Sequence, residues 1–378
     1  MANRFANRLS SLVMFAFFLP IAGCSHEPSR DVLVQGPGRQ PELGFACCEQ
    51  GLDEAQHVFA DPGVMAQLER LHATVAMPTA DLSSQRASLV RALNRQGIPV
   101  IAWIVLPSDQ GYYLNAGNVP EAAERLTEVE QWTRANQLRW SAVGLDIEPN
   151  FAELKNLRRR PLRLASTLPA RAADFRRITR SREDYARLVA EIHGWGYPVQ
   201  IYEMPYVASE RFAHSAFADR MLGTVDVRGD QNYLMLYTTF ARPLGAAMIW
   251  LLGPESLGIT VGSTDGPGTP GAGAGPQDWT EFARDLIVAS HFTPHIGVYD
   301  LEGCVRQGFL QRLVAMNWSQ SAVISAAELE RARQIRFLSH TVLWIGSNLI
   351  WLVAAAAALG LVLMRARRRR RASPLQVL

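Results

Sequence analysis

In the run Ala142-Val143-Gly144-Leu145-Asp146-Ile147-Glu148-Pro149-Asn150, two acids stand two residues apart at the end of an apolar stretch. Side chains i and i+2 of an extended strand project to the same side, so Asp146 and Glu148 share a face. A carboxyl crowded by another resists ionisation, its pKa rises, and it can donate a proton near neutral pH. Cleavage of a glycosidic bond needs such an acid on the leaving oxygen. Pro149 stops the strand and holds Glu148 at its lip. Other apolar runs also end in polar groups: Glu203 in Ile201-Tyr202-Glu203-Met204-Pro205, Tyr237 in Leu234–Tyr237, and Asp300 and Glu302 after His295–Tyr299. Glu148 with Glu203 is a second hydrolytic pairing, whose carboxyl separation would set the outcome: about 5–5.5 Å for retention, about 6.5–9.5 Å for inversion.

Aromatic faces with polar edges suit sugar rings. Trp103, Tyr112, Tyr113, Tyr202, Tyr206, Tyr237, Phe240 and Tyr299 lie on or just beyond these runs. Trp103 reads as core, and Tyr202 reads as core or contact. Tyr112 and Tyr113 follow Gly111 in a loop and are the better binding candidates.

The elements that must position these groups alternate. Short runs rich in Val and Ile occur at Leu43–Cys47, Thr74–Met77, Pro99–Leu106, Ala142–Ile147, Val199–Tyr202, Leu234–Tyr237, Ile259–Val261 and His295–Tyr299. They suit strands buried on both faces. Stretches with helical spacing separate them, among them Ser83–Asn94, Pro120–Gln137, Arg182–Gly194, Trp279–Ser290 and Phe309–Asn317. Strand–helix alternation predicts a parallel sheet, and eight candidate strands predict an α/β fold of the closed (β/α)8 type; an open doubly wound sheet is the runner-up. Gly266-Pro267-Gly268-Thr269-Pro270-Gly271 fits the dinucleotide pattern only on paper, because it holds two prolines and no helix follows directly. Closure would set the first strand beside the last, so Cys47 or Cys48 could meet Cys304 in a disulfide. Which of the two would pair stays open.

Both ends read as membrane signals. Arg4 and Arg8 precede the apolar stretch Leu9–Ile21, which resembles an export signal and ends in Ile21-Ala22-Gly23-Cys24, similar to a bacterial lipobox. That resemblance implies cleavage before Cys24 and its lipidation. Thr341–Met364 is uncharged over a length that crosses a hydrocarbon core, and the arginines Arg365 and Arg367 to Arg371 follow it. The positive-inside rule puts that tail in the cytoplasm and the bulk of the chain outside the inner membrane, in the periplasm. The net charge is +3, and these six arginines with Arg4 and Arg8 exceed it, so the remaining body is acidic and is not a nucleic-acid binder. Residues 151–182 depart from that, with Lys155 and nine arginines against Glu153 and Asp174. Such an insert could grip an anionic glycan or lipid headgroups, or pair with the acidic body. The expected organisation is a signal peptide (1–23), a linker (24–42), a barrel (43–320), a juxtamembrane helix (321–340), a span (341–364) and a basic tail (365–378).

The segment ending at Glu148 resembles the strand-4 signature of family-18 glycoside hydrolases, D-x-x-D-x-D-x-E. Aligned on Glu148, Asp146 matches the preceding aspartate, and Ser141 and Gly144 replace the two earlier ones. A second register puts Asp146 and Glu148 on the aspartates and Asn150 on the acid. Met235-Leu236-Tyr237 is similar to that family's M-x-Y, with Thr238 where an aspartate follows. Tyr299-Asp300-Leu301-Glu302 resembles its last strand, with Tyr299 in place of a tryptophan. D-x-E also resembles family-25 lysozyme-like barrels. The first resemblance implies hydrolysis assisted by the substrate's acetamido group: Glu148 protonates the leaving oxygen, Asp146 orients the acetamide, and Tyr237 binds its carbonyl.

The expectation is a membrane-tethered glycosidase acting on an envelope or exported polysaccharide. The alternative is an inactive glycan-binding or scaffold protein of an envelope assembly. No cofactor is indicated and no metal. There is no H-E-x-x-H, G-x-S-x-G or Walker loop.

Overall fold

The computed structural model describes residues 30–150, 153, 161–264 and 275–372. Eight parallel strands close into a barrel: β2 (Glu42–Ala46), β3 (Thr74–Pro78), β4 (Val100–Ile104), β5 (Ala142–Ile147), β6 (Val199–Glu203), β7 (Gln231–Met235), β8 (Gly258–Gly262) and β9 (His295–Tyr299). β2 and β9 complete the ring, with Leu43 opposite Ile296 and Phe45 opposite Val298. This is a (β/α)8 barrel.

The order of residues on each strand sorts them into two layers. Leu43, Phe45, Val75, Met77, Val143, Leu145, Ile201, Leu234, Val261 and Ile296 point outward into the main core. The helices that follow the strands along the chain include α1 (Leu52–Ala60), α2 (Pro62–Arg70), α3 (Ser84–Arg95), α4 (Val119–Asn136), α5 (Pro161–Ala172), α6 (Phe175–Gly194), α7 (Pro205–Phe212), α8 (Phe217–Leu222), α9 (Gly245–Leu252) and α10 (Trp279–Ser290). The opposite parity fills the lumen with Gly44, Ala76, Trp103, Asp146, Tyr202, Tyr233, Tyr237, Thr260 and Tyr299. Large and small residues interlock: a Cβ on Gly144 would lie 2.9 Å from the Tyr202 ring, one on Gly258 2.5 Å from Tyr233, and one on Gly297 2.6 Å from Thr260 Oγ1.

The expected strands Ala142–Ile147 and His295–Tyr299 have the observed bounds. β7 begins at Gln231, earlier than its apolar run, because Gln231 and Tyr233 face the lumen and break the hydrophobic pattern. The expected linker contains β1 (Val32–Gln35), which pairs antiparallel with β10 (Ser321–Ile324), so the chain is tied to the barrel's end before β2 begins. The expected bond from Cys304 across the closure is not formed. Cys47 and Cys48 are bonded to each other, and Cys304, inside α11 (Leu301–Arg306), is a buried free thiol beside Thr264 Oγ1. Neighbouring strands did close the ring, but the helical turn after β9 aims Cys304 at Thr264.

After β10, and after α12 (Phe309–Val314), the chain is helical from Ala326 to Ala372 (α13). Among the described residues no single helix is long and apolar enough to cross a membrane. The bent pair Ala326–Leu349 and Trp351–Arg367, angled at 66°, passes that test together. The first arm lies on the barrel: Arg336 pairs with Glu255, His340 stacks on Phe212, and Ser347 Oγ is 2.7 Å from Ser215 Oγ. Trp351, Val353, Leu359 and Leu361 to Met364 on the second arm are exposed. The lipobox cysteine and the final residues of the tail fall outside the described residues.

Gly297→Val should lower stability by about 1–3 kcal/mol in urea unfolding, because Thr260 is held in the sheet and cannot retreat. Gly275→Ala, with open space around it, should leave stability unchanged.

Candidate active site

Asp146 and Glu148 both sit at the C-terminal end of β5, the end where barrels of this type carry their chemistry. Asp146 points into the lumen, and Trp103 Nε1 donates to its Oδ2 at 3.2 Å. Its Oδ1 is buried with no hydrogen-bond partner among the described residues. Glu148 follows β5, its N–H donating to Leu114 O. Burial pushes both carboxyls up. Glu49 raises Asp146 further, and Asp146 and Glu49 raise Glu148. Asp146 and Glu148 therefore keep their protons to higher pH than isolated acids do.

A ring of phenols surrounds the acids. Tyr113 OH donates to Glu49 Oε1 at 2.5 Å, and Tyr299 OH donates to Glu49 Oε2 at 2.5 Å. Tyr237 lies against Tyr299, ring centroids 5.1 Å apart, and Tyr112 packs edge-on to Tyr113 at 4.9 Å. Burial raises the Tyr237 phenol, and Asp146, Glu148 and Glu49 raise it further, so it is a hydrogen-bond donor and not a phenolate. Below them a cavity of about 100 Å³ runs down the lumen, lined by Asp146, Tyr237 and Tyr299 at one end and by Glu42, Gln200 and Gln231 at the other. That space suits a file of waters and falls short of a ligand pocket of about 300 Å³ or more. A sugar ring would have to sit above it, at the rim.

The structure thus brings Asp146, Glu148, Tyr112, Tyr113, Tyr237 and Tyr299 to one mouth. Tyr202 lies deeper, stacked on Tyr233 at 5.4 Å with its hydroxyl on Gln200. Glu203 does not join the mouth. On β6, Gln200 and Tyr202 face the lumen, so Glu203 faces the helices. There Arg211 of α7 grips both its oxygens at 2.6 Å, and Asn232 adds a third bond. The Glu148–Glu203 pairing is therefore corrected: Glu203 is half of an internal ion pair. Asp300 caps α11, accepting from Gly303 N at 2.7 Å, and burial first of all pushes it up to about 6. Glu302 accepts from Cys48 N and is buried. Both of these acids hold backbone instead of lining the mouth. Cys47, Cys48 and Glu302 cluster closely enough to suggest a metal, but the two sulfurs are bonded to each other and offer no thiolate pair.

Glu49 is absent from the sequence-based set. The pattern that marks Glu203, Tyr237 and Asp300, a polar group at or just beyond the end of an apolar run, holds for Glu49 after Leu43–Cys47 as well. In the basic insert, Arg171 pairs with Glu153, Arg177 with Asp174 and Arg182 with Asp219, while Arg176 and Arg180 are exposed. For those three arginines, pairing with acids is the observed state.

No protein-family profile and no curated protein sequence matches the chain. Among solved structures it is similar to a GH18 chitinase from Pseudoalteromonas aurantia, at 10% identity and a TM-score of 0.42, covering 72% of this chain and 99% of that one. It is also similar to the PgaB (BpsB) glycoside hydrolase domain from Bordetella bronchiseptica, at 10% identity and 0.41, covering 73% and 98%. A third is a xylanase-alpha-amylase inhibitor protein in complex with trehalose, at 10% identity and 0.38, covering 74% and 100%. The resemblance to family-18 barrels is remote, and what the site can do follows from its own residues.

Two outcomes follow from this geometry. Glu203→Gln should lower stability by about 2 kcal/mol in chemical denaturation, because it leaves Arg211 short of a buried charge. The unfolded carboxyls lose their protons near pH 4 and the folded Asp146–Glu148 pair at higher pH, so stability falls as pH rises through that window. Glu148→Gln should therefore melt above the wild type at pH 7.5, with the gap closing toward about pH 4.

Proposed function

We propose that this chain is a glycoside hydrolase, held at the outer face of the inner membrane and acting on an envelope or exported polysaccharide. The observation that supports it most is the Asp146–Glu148 pair, buried at the C-terminal end of β5 with raised pKa values and, among the described residues, no cation paired with it. In this reading Glu148 gives its proton to the glycosidic oxygen. Asp146, oriented by Trp103, steadies an acetamido group, and the Tyr237 hydroxyl donates to that group's carbonyl. Tyr113 and Tyr299 flank the ring. The exposed apolar second arm, residues 351–364, together with a lipid on Cys24, supplies the anchor.

A second reading is a glycan-binding protein without turnover. Three observations favour it. Tyr202 fills the space that a side chain at Gly144 would need. Thr238 turns away to donate to Asp285 at 2.5 Å. Ser141 bonds to the Val100 carbonyl.

Incubating the purified protein with chitohexaose and with peptidoglycan glycan strands separates the two. Hydrolysis by the wild type, with about 10²–10⁴-fold loss in Glu148→Gln, is the expected result. Binding without cleavage, indifferent to Glu148→Gln, would establish the second reading. For the anchor, Cys24→Ser or removal of residues 351–378 should each leave the protein in the membrane fraction, and the two together should release it.

A further inference from the structure

β2 and β5 lie on nearly opposite sides of an eight-membered ring, so an acid at the end of β2 looks across the mouth toward Asp146 and Glu148. Glu49 is that acid. Each of its oxygens accepts from a phenol at 2.5 Å, from Tyr113 and from Tyr299, and acceptance at both oxygens is the pattern of a carboxylate. Among the described residues no arginine, lysine or histidine forms an ion pair with Glu49, Asp146 or Glu148. The other acids embedded at this end of the barrel serve the fold. Glu203 holds Arg211, Asp300 caps a helix, and Glu302 holds a backbone N–H. Glu49 serves no such purpose and is itself held in place. Two phenols orienting a half-buried carboxylate, beside two protonatable acids, suit a cationic centre that forms only during reaction.

We propose that Glu49, clamped by Tyr113 and Tyr299, is a third catalytic carboxylate, the one that faces the positive charge developing at the anomeric carbon. The proposal rests on the hydrolase reading and adds a residue to it. Glu148 passes its proton to the glycosidic oxygen, which leaves with the bonding electron pair. The sugar carries the positive charge, shared between its anomeric carbon and ring oxygen. Glu49 forms no bond and remains a carboxylate throughout. The oxygen of a water molecule then bonds to the anomeric carbon, and one of its protons returns to Glu148. Glu49 thereby supplies negative charge at a site where Gly144 and Thr238 supply none.

The test compares full-length variants on chitohexaose and on 2,4-dinitrophenyl β-N-acetylglucosaminide, whose leaving group needs no acid. Glu148→Gln should lose the oligosaccharide but keep the activated probe within about tenfold. Glu49→Gln should lose at least about 100-fold in kcat on both, with KM nearly unchanged, because its contribution is made only in the transition state. Should Glu49→Gln fail to fold, the double variant Tyr113→Phe/Tyr299→Phe decides: a fall in kcat of about tenfold or more supports the clamp, and a change within about twofold overturns it. If Glu49→Gln keeps kcat on both probes while Glu148→Gln loses the oligosaccharide, Glu49 is not catalytic and the hydrolase reading stands. A wild type inert on both probes overturns the two together.

Discussion

The two-residue alternation of a β-strand decides what Asp146 and Glu203 become. With lumen parity, Asp146 meets an indole and phenols. With the other parity, Glu203 meets an arginine of a surrounding helix. Asp146 and Glu203 end neighbouring strands and lie one register step apart, Asp146 opposite Tyr202 and Ile147 opposite Glu203. One is left with a bare oxygen and a raised pKa, and the other is clamped by a guanidinium. The difference in their chemistry comes from direction, not from residue type.

That direction is made costly to change by the packing beneath it. The lumen is filled by rings laid over glycines, Tyr202 over Gly144 and Tyr233 over Gly258, so the rim above rests on a floor with little slack. The floor leaves only a narrow polar cavity, which confines any sugar to the mouth. Burial without counter-cations destabilises the ionised acids, and at Glu49 the phenols of Tyr113 and Tyr299 offset part of that through hydrogen bonding. Carboxyls buried this way keep their protons to higher pH than solvated ones, at a cost in stability.

Much of this was legible in the chain. Ala142–Ile147 and His295–Tyr299 read correctly because both are short, apolar and bounded by polar or proline residues. β7 read late because its lumen face carries Gln231 and Tyr233, and a polar lumen erases the signal that a buried strand normally gives. β1 has no local signature, because its four residues pair with a strand almost three hundred positions away. Glu49 lies beyond the end of β2, and only ring closure brings Tyr299 of the last strand to its carboxylate. Glu203 was over-read because one pattern of five residues, Val199 to Glu203, does not fix which parity faces the lumen.

The sequence by itself determined the alternation of strands and helices, the shared face of Asp146 and Glu148, and the acidic character of the body between two apolar ends. These are local properties, carried by spacing and composition. Only the tertiary structure decided that Glu49 looks across at that pair, that Glu203 turns its back on it, that Cys47 bonds to Cys48 and not to Cys304, and that the first arm of the last helix lies on the barrel. Each of those depends on which distant segments ring closure brings side by side, and closure is a property of the whole chain that no short stretch of it records.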